Sequence, residues 1–279
     1  MTSTAACADR IPPLNHAPRK RFGQHFLHDP GIIRRIVGAI APHPDDTLVE
    51  IGPGLGAITG PLLERLHHLH VVELDRDLIP HLHGLGPPGT ITVHAADALR
   101  FDLASIPGPR PLRVVGNLPY NISTPLIFHL LAQAAQIRDM HFLLQKEVVD
   151  RLTAGPGTAA YGRLGIMVQY RCRAEPLFPV GPGAFRPPPR VDSAVVRLTP
   201  YETLPYPARD EPLLARLVQQ AFTRRRKTLR NALQGLALPE QIEAAGIDPT
   251  HRPETLSVEA FVRIADIVSD TAPASPPGH

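Results

Sequence analysis

The chain has 279 residues, 43% of them hydrophobic, which is enough for one large or two modest domains with cores of their own. No apolar run approaches the roughly eighteen residues of a membrane span, and the mixed, Pro-rich residues 1–18 lack the apolar core of a signal peptide, so they are expected to be a disordered lead. Two cysteines, Cys7 and Cys172, make neither a disulfide framework nor a metal set, which fits a reducing cytoplasm. Net charge is only +3, yet 26 of the 29 basic residues are arginine, whose planar fork suits phosphate. Together with 33 prolines the same excess also reads as coding bias, so composition alone does not decide for nucleic acid.

In chain order, Arg19-Lys20-Arg21 runs into Phe22-Gly23-Gln24-His25-Phe26-Leu27, cations followed by aromatic and amide groups. A helix is expected next, with Asp29 as N-cap, Pro30 at its first position, and Ile33, Ile36, Val37 and Ile40 on one face. Residues 48–51 read as a buried strand that Gly52-Pro53-Gly54-Leu55-Gly56 turns into a helix carrying Ile58, Leu62, Leu63 and Leu66. Further strands are expected at 71–74, 91–93, 112–115 (stopped by Gly116) and 140–144, with helices at 125–133, from Lys146, and over 161–171. Two last strands, 177–180 and 193–198, flank the Pro-rich hairpin 182–191. Alternating strands and helices imply an α/β fold with a doubly wound, mostly parallel, Rossmann-like sheet. Past residue 200 only short amphipathic helices follow, at 213–222, 228–236, 239–245 and 258–268. The expected organisation is a lead (1–18), an α/β domain (19–200), a small all-α domain (201–270) and a polar tail (271–279).

The stretch Asn117-Leu118-Pro119-Tyr120 closes a β-branched run, and ligands of open α/β sheets sit at such carboxyl ends. There an amide oxygen and the carbonyls of a proline turn can accept from an exocyclic amine, and Tyr120 can lie against the ring that carries it. The plainer reading is a strand-to-helix turn using Asn and Pro for their backbone habits. Gly52-x-Gly54-x-Gly56-Ala57, followed some twenty residues on by Glu73, suits a ribose-binding carboxylate of any adenosyl cofactor, NAD included. Asp97, after the third strand, can accept from an adenine amine or simply cap a helix.

Taken together, Glu50-Ile51-Gly52-Pro53-Gly54-Leu55-Gly56, Glu73-Leu74-Asp75, Asp97, Asn117-Leu118-Pro119-Tyr120 and Phe185-x-Pro187-Pro188-Pro189-x-Val191-Asp192-Ser193 resemble, in order, the S-adenosylmethionine-dependent rRNA adenine N6-dimethyltransferases. Gly23-Gln24-His25-Phe26-Leu27 and Arg225-Arg226-Lys227-Thr228-Leu229-Arg230-Asn231 resemble the small-subunit branch of that family, and the likeness covers roughly residues 19–268. The resemblance implies a seven-stranded sheet with one antiparallel strand, and a helical C-terminal domain. It implies S-adenosylmethionine as cofactor, no metal, and dimethylation of two adjacent adenosines in the 3′-terminal hairpin loop of 16S rRNA, within the small subunit or its precursor. The enzyme would act as a monomer away from membranes. Carried over by residue, His25, Leu27, Gly52, Gly54, Glu73, Asp97 and Asn117 would hold the cofactor, with His25 standing where some members have Asn. Asn117, the Pro119 carbonyl, Tyr120 and Phe185 would hold the target base, with Tyr120 and Phe185 stacking on it. Apart from the resemblance, Arg224, Arg225, Arg226, Lys227 and Arg230 cluster where the first two short helices meet; such a run is usually a solvated face, but it would meet RNA, with Arg226 and Arg230 stacked at i, i+4 if a helix forms there. Residues 201–279 carry 9 basic against 10 acidic residues, so only local clustering speaks for RNA there. A large-subunit resistance methyltransferase and a non-catalytic assembly factor would share these motifs. His67-His68-x-His70 reads as a solvated helix end rather than a metal site.

Overall fold

The computed structural model describes residues 25–271; the expected lead, Arg19–Gln24, Cys7 and the tail from 272 lie outside the described residues. The chain forms two compact units. One takes the described residues up to Val149 together with Glu175–Pro200, the other Asp150–Ala174 with the described residues from Tyr201.

The first unit begins with β1 (Phe26–Leu27) and α1 (Pro30–Ile40), where Asp29 Oδ1 accepts from Ile32 N at 2.9 Å and Ile36, Val37 and Ile40 turn inward. There follow β2 (Leu48–Ile51), α2 (Thr59–Leu63), β3 (Leu69–Glu73), α3 (Ile79–His83), β4 (Ile91–Ala95), β5 (Leu112–Asn117), α4 (Ser123–Leu131), β6 (Ile137–Gln145) and α5 (Lys146–Thr153). After α6 (Arg163–Arg171), which belongs to the second unit, come β7 (Cys172–Val180), β8 (Phe185–Arg186) and β9 (Ser193–Pro200). The seven-stranded sheet runs β4-β3-β2-β5-β6-β9-β7. Pairs β4/β3, β3/β2, β2/β5 and β5/β6 are parallel, while β9 lies antiparallel to β6, as the resemblance implied. Strand order reverses between β2 and β5, which opens the crevice where doubly wound folds bind ligands.

Gly116 does not end β5; the strand runs on through Asn117. Its glycine is needed for close approach, because a Cβ there would stand 2.5 Å from the Ile51 carbonyl oxygen on β2. That approach brings the last residues of β5 beside the glycine turn. A two-residue pair, β1 with β8, was not visible in the sequence, since so short a strand carries no periodicity. It sets Leu27 opposite Phe185 and Phe26 opposite Arg186.

Arg113 sits in β5 with its side chain 6% exposed. It donates to Asp139 Oδ1 at 2.9 Å, to Asp46 Oδ2 at 2.8 Å, and to the carbonyls of Ile40 (2.6 Å) and Ala41 (3.2 Å). The last two are orphan acceptors at the end of α1, so one guanidinium closes that helix and ties it to β5 and β6. Of the histidines expected at a solvated helix end, His67 is exposed but His70 is not. His70 is 5% exposed on β3, its Nδ1 lies 3.2 Å from His94 Nε2, and burial with the neighbouring imidazoles pushes it down to about 4. Among the described residues no group of His, Cys, Asp or Glu is placed to hold a metal ion.

The second unit adds α7 (Glu211–Thr223), α8 (Leu229–Ala232), α9 (Pro239–Ala244) and α10 (Val258–Thr271). A single boundary near 200 was expected, but 150–174 belongs here. Tyr161, Ile166 and Tyr170 are buried in the same core as Leu214, Leu217, Phe261 and Ile264, so this segment's apolar face finds its partner after residue 200. No helix among the described residues is long and apolar enough to cross a membrane.

Candidate active site

The carboxyl ends of β2, β3, β4 and β5 surround a cavity of about 330 Å³. His25, Leu27, Gly52, Gly54, Glu73, Asp97, Asn117, Pro119 and Tyr120 all line it, which brings together the whole expected cofactor set and three of the four expected target residues. Gly54 has φ +56°, a left-handed conformation that favours glycine, and a Cβ there would meet the Phe26 ring at 3.2 Å. Its N–H donates to Glu73 Oε2 at 3.4 Å, while Glu73 Oε1 accepts from Asp75 N at 2.7 Å. Burial raises the Glu73 carboxyl above its usual range, and these backbone donors oppose the shift and fix its orientation. Asp97 Oδ1 accepts from Leu99 N at 2.9 Å, so one oxygen shapes a turn rather than capping a helix, and the residue lines the cavity.

Asn117 has a defined amide orientation. Its Nδ2 donates to the His25 carbonyl at 3.0 Å, and because a carbonyl can only accept, Oδ1 is the atom left for an incoming donor. The Pro119 carbonyl accepts from Ile122 N at 3.2 Å and retains a second lone pair. Tyr120 is anchored by its hydroxyl, 2.6 Å from the wholly buried Ser193 Oγ, which fixes the plane of the ring. Burial raises this phenol above its ordinary value, so it stays neutral.

One expected role changes. Phe185 is 2% exposed and packs with Leu27, Ala184 and Val195 in the core of this unit; it does not line the cavity. The β1/β8 pairing turns it inward, and it serves as a hydrophobic anchor for the hairpin rather than a second stacking plate. The ring facing Tyr120 is His25 instead, with centroids 5.5 Å apart and planes at 27°. His25 Nδ1 lies 2.8 Å from the Pro187 carbonyl, so that nitrogen carries the proton and only Nε2 remains for a ligand. Glu50, Thr59 and Ser193 were missed as site residues; a carboxylate inside a buried strand was the available signal for the first.

The sequence profile described as Ribosomal RNA adenine dimethylase matches residues 15–270. The chain belongs to the ribosomal RNA adenine dimethylase family. A protein of Pseudomonas savastanoi pv. phaseolicola named Ribosomal RNA small subunit methyltransferase A is 61% identical over 257 residues, 91% of this chain and 96% of that one. A protein of the same name from Marinobacter nauticus is 60% identical over 92% of this chain and 93% of its own. Among solved structures, a dimethyladenosine transferase from Plasmodium falciparum has a TM-score of 0.71 at 26% identity, covering 86% of this chain and 96% of its own. The 23S rRNA methyltransferase ErmE has a TM-score of 0.69 at 26% identity, covering 88% and 99%. The chain is therefore an rRNA adenine dimethylase with the Rossmann-like methyltransferase fold, and its reaction is methyl transfer.

Glu73, buried at the end of β3, lines this cavity. Glu73→Ala is expected to weaken cofactor binding by about 1.5–3 kcal/mol, the value of a hydrogen bond to a charged group. Calorimetric titration of the folded variant checks this.

Proposed function

We propose that this chain is a cytoplasmic, monomeric S-adenosylmethionine-dependent enzyme that dimethylates N6 of two adjacent adenosines in the 3′-terminal hairpin loop of 16S rRNA, in the small subunit or its precursor. The observation that carries the reading is the free Oδ1 of Asn117 at the cavity wall, beside the Pro119 carbonyl and the ring of Tyr120. The small-subunit substrate is favoured over the large because relatives named for the small subunit are about 60% identical, against 26% for the 23S enzyme.

The residues present fit the cofactor. Among the described residues no lysine or arginine lines the cavity, three carboxylates do, and the glycine turn leaves its backbone open to close approach. Glu73 would take the ribose hydroxyls and Asp97 the adenine amine, while Leu27 and the glycines supply the walls. When bound, S-adenosylmethionine offers a methyl already activated by a positive sulfur, so the protein's task is largely alignment. Adenine N6 is a weak nucleophile because its lone pair is delocalised into the ring. Asn117 Oδ1 and the Pro119 carbonyl accept its two N–H bonds out of the ring plane and localise that pair. Tyr120, held by Ser193, returns about 1–3 kcal/mol of stacking to a base taken out of its own stack. Entry of that base displaces or stacks against His25. No general base is required.

RNA positioning falls to the basic run, with altered geometry. Residues 224–228 form a turn between α7 and α8, not a continuous helix, so Arg226 and Arg230 do not stack at i, i+4. Arg224 donates to the Asn231 carbonyl and Arg225 to that of Thr158, while Arg226, Lys227 and Arg230 are exposed. Exposed cations on a turn suit phosphates rather than base edges. Replacing Arg226 and Arg230 by Ala is expected to weaken binding to the 30S particle and lower its log–log salt slope by up to about 1.8, with the methylated positions unchanged. Filter binding at several salt concentrations measures the slope. The proposal as a whole is tested in cells lacking the protein: mass mapping should find two adjacent adenines in the 3′-terminal hairpin unmethylated and restored on complementation.

A further inference from the structure

Glu50 is 1% exposed, yet it is one of the residues lining the cavity. Thr59 Oγ1, also wholly buried, donates to its Oε2 at 2.7 Å from the start of α2. On the neighbouring strand Val71 stands opposite Glu50, and two residues on Glu73 reaches the same cavity at 7% exposure. On the other side β5 offers only Val115 in register. The remaining ionisable groups among the described lining residues are Asp97, the His25 ring and the Tyr120 phenol, and Asp75 follows Glu73, 2% exposed. This pocket thus gathers the buried carboxyls of Glu50 and Glu73, with no lysine or arginine among its described lining residues. Buried charge without a partner is costly, so such a group sheds its charge until a cation arrives. In keeping with this, burial, opposed by the Thr59 hydroxyl and reinforced by Glu73, holds the Glu50 carboxyl up at about 7.

We propose that Glu50 is the charge-selecting residue of this pocket: its carboxyl is protonated when the pocket is empty and yields its proton to solvent when a cationic sulfonium cofactor binds, so the sulfonium form is held in preference to its neutral thioether product. The inference rests on S-adenosylmethionine being the cofactor. The balance over a cycle is simple. Binding releases the Glu50 proton. Methyl transfer forms the N6–C bond, breaks the C–S bond and leaves N6 to lose one proton. Glu50, its cationic partner gone, takes a proton back from solvent. The positive sulfur is the only charge that distinguishes cofactor from product, and a carboxylate that answers to it favours product release.

The experiment is titration calorimetry of the full chain with S-adenosylmethionine and with S-adenosylhomocysteine, in two buffers of different ionisation enthalpy. At pH 6 the first is expected to release about 0.9 proton and the second almost none, following from a group that titrates near neutrality. Affinity for S-adenosylmethionine should then rise nearly tenfold per pH unit below neutrality. Glu50→Gln, which keeps the neutral shape, should abolish both the release and the pH dependence and narrow the preference for cofactor over product. Thr59→Val keeps Glu50 but removes a donor to its charged form, so the release curve should move to higher pH. Equal release with both ligands, release that survives Glu50→Gln, or an unmoved curve in Thr59→Val would overturn the proposal. Failure of the wild-type chain to bind S-adenosylmethionine at all would instead overturn the cofactor assignment beneath it.

Discussion

Asn117→Ala is expected to lower turnover by about 10²–10³-fold, the usual cost of deleting one preorganised polar group aimed at the reacting centre. Cofactor affinity should change far less, because Glu73, Asp97 and the glycine turn remain. The amide does two things at once: Nδ2 holds the His25 carbonyl and Oδ1 faces the cavity. Asn117→Asp separates them. It keeps an acceptor for the adenine amine but opposes a carboxylate to the His25 carbonyl, so the segment around His25 loses its tether. Steady-state kinetics on small subunits, with cofactor affinity measured separately, distinguish the cases. If Asn117→Ala lost only affinity for cofactor and kept its turnover, the acceptor role would be wrong. Activity retained in Asn117→Asp with a raised KM for RNA would assign the larger share to Oδ1 and a lesser one to the tether.

Arg113→Met carries the largest expected effect on stability, about 3–5 kcal/mol, because it removes the shared guanidinium from two largely enclosed carboxylates and from two helix-end carbonyls. The pH dependence has a definite sign. Burial pushes the Asp139 carboxyl up, but hydrogen bonding and charge from His141 and Arg113 outweigh it and hold the group down at about 2. Asp46 is likewise lowered: burial raises it, while the His43 backbone N–H, Arg113 and Arg138 prevail. Their folded values lie below those of the unfolded chain, so the unfolded state binds more protons as pH falls through this range. The stabilisation is present in full above about pH 4 and is lost as pH drops toward 2. In Arg113→Met the same carboxylates are buried without that guanidinium and gain from protonation. The difference between variant and wild type is therefore expected to be greatest near neutrality and to close below about pH 4. Denaturant titrations at pH 7 and pH 3.5 measure it.

Much of the catalytic face was legible because it depends on local signals. Strand, glycine turn and helix are contiguous in sequence, Glu73 and Asn117 are the last residues of their strands, and Asp97 comes two residues after its own. Parallel pairing then aligns those strand ends without further information. What stayed hidden depends on partners far away in the chain. Arg113 looks like an interruption in a β-branched run until Asp46, 67 residues earlier, is placed beside it. Phe185 reads as a stacking plate beside Tyr120, and only its pairing with Leu27 shows it to be an anchor. The face of the 163–171 helix is plainly apolar, but periodicity names a face and not the surface that covers it, so its membership in the second unit could not be read. The basic run suggested a helix because arginine and lysine are good helix formers, whereas the chain breaks there into a turn before Thr228.

The most direct test of the account is to present the purified protein with S-adenosylmethionine and an equal mixture of unmethylated small and large ribosomal subunits, and to map methylated adenines by mass. The account predicts N6-dimethyladenine at two adjacent positions in the 3′-terminal hairpin of the small-subunit RNA, absent with Asn117→Ala and still at those two positions, at reduced yield, with Arg226→Ala/Arg230→Ala. Dimethylation confined to the large-subunit RNA, or none in either subunit from a protein that binds the cofactor, would contradict it.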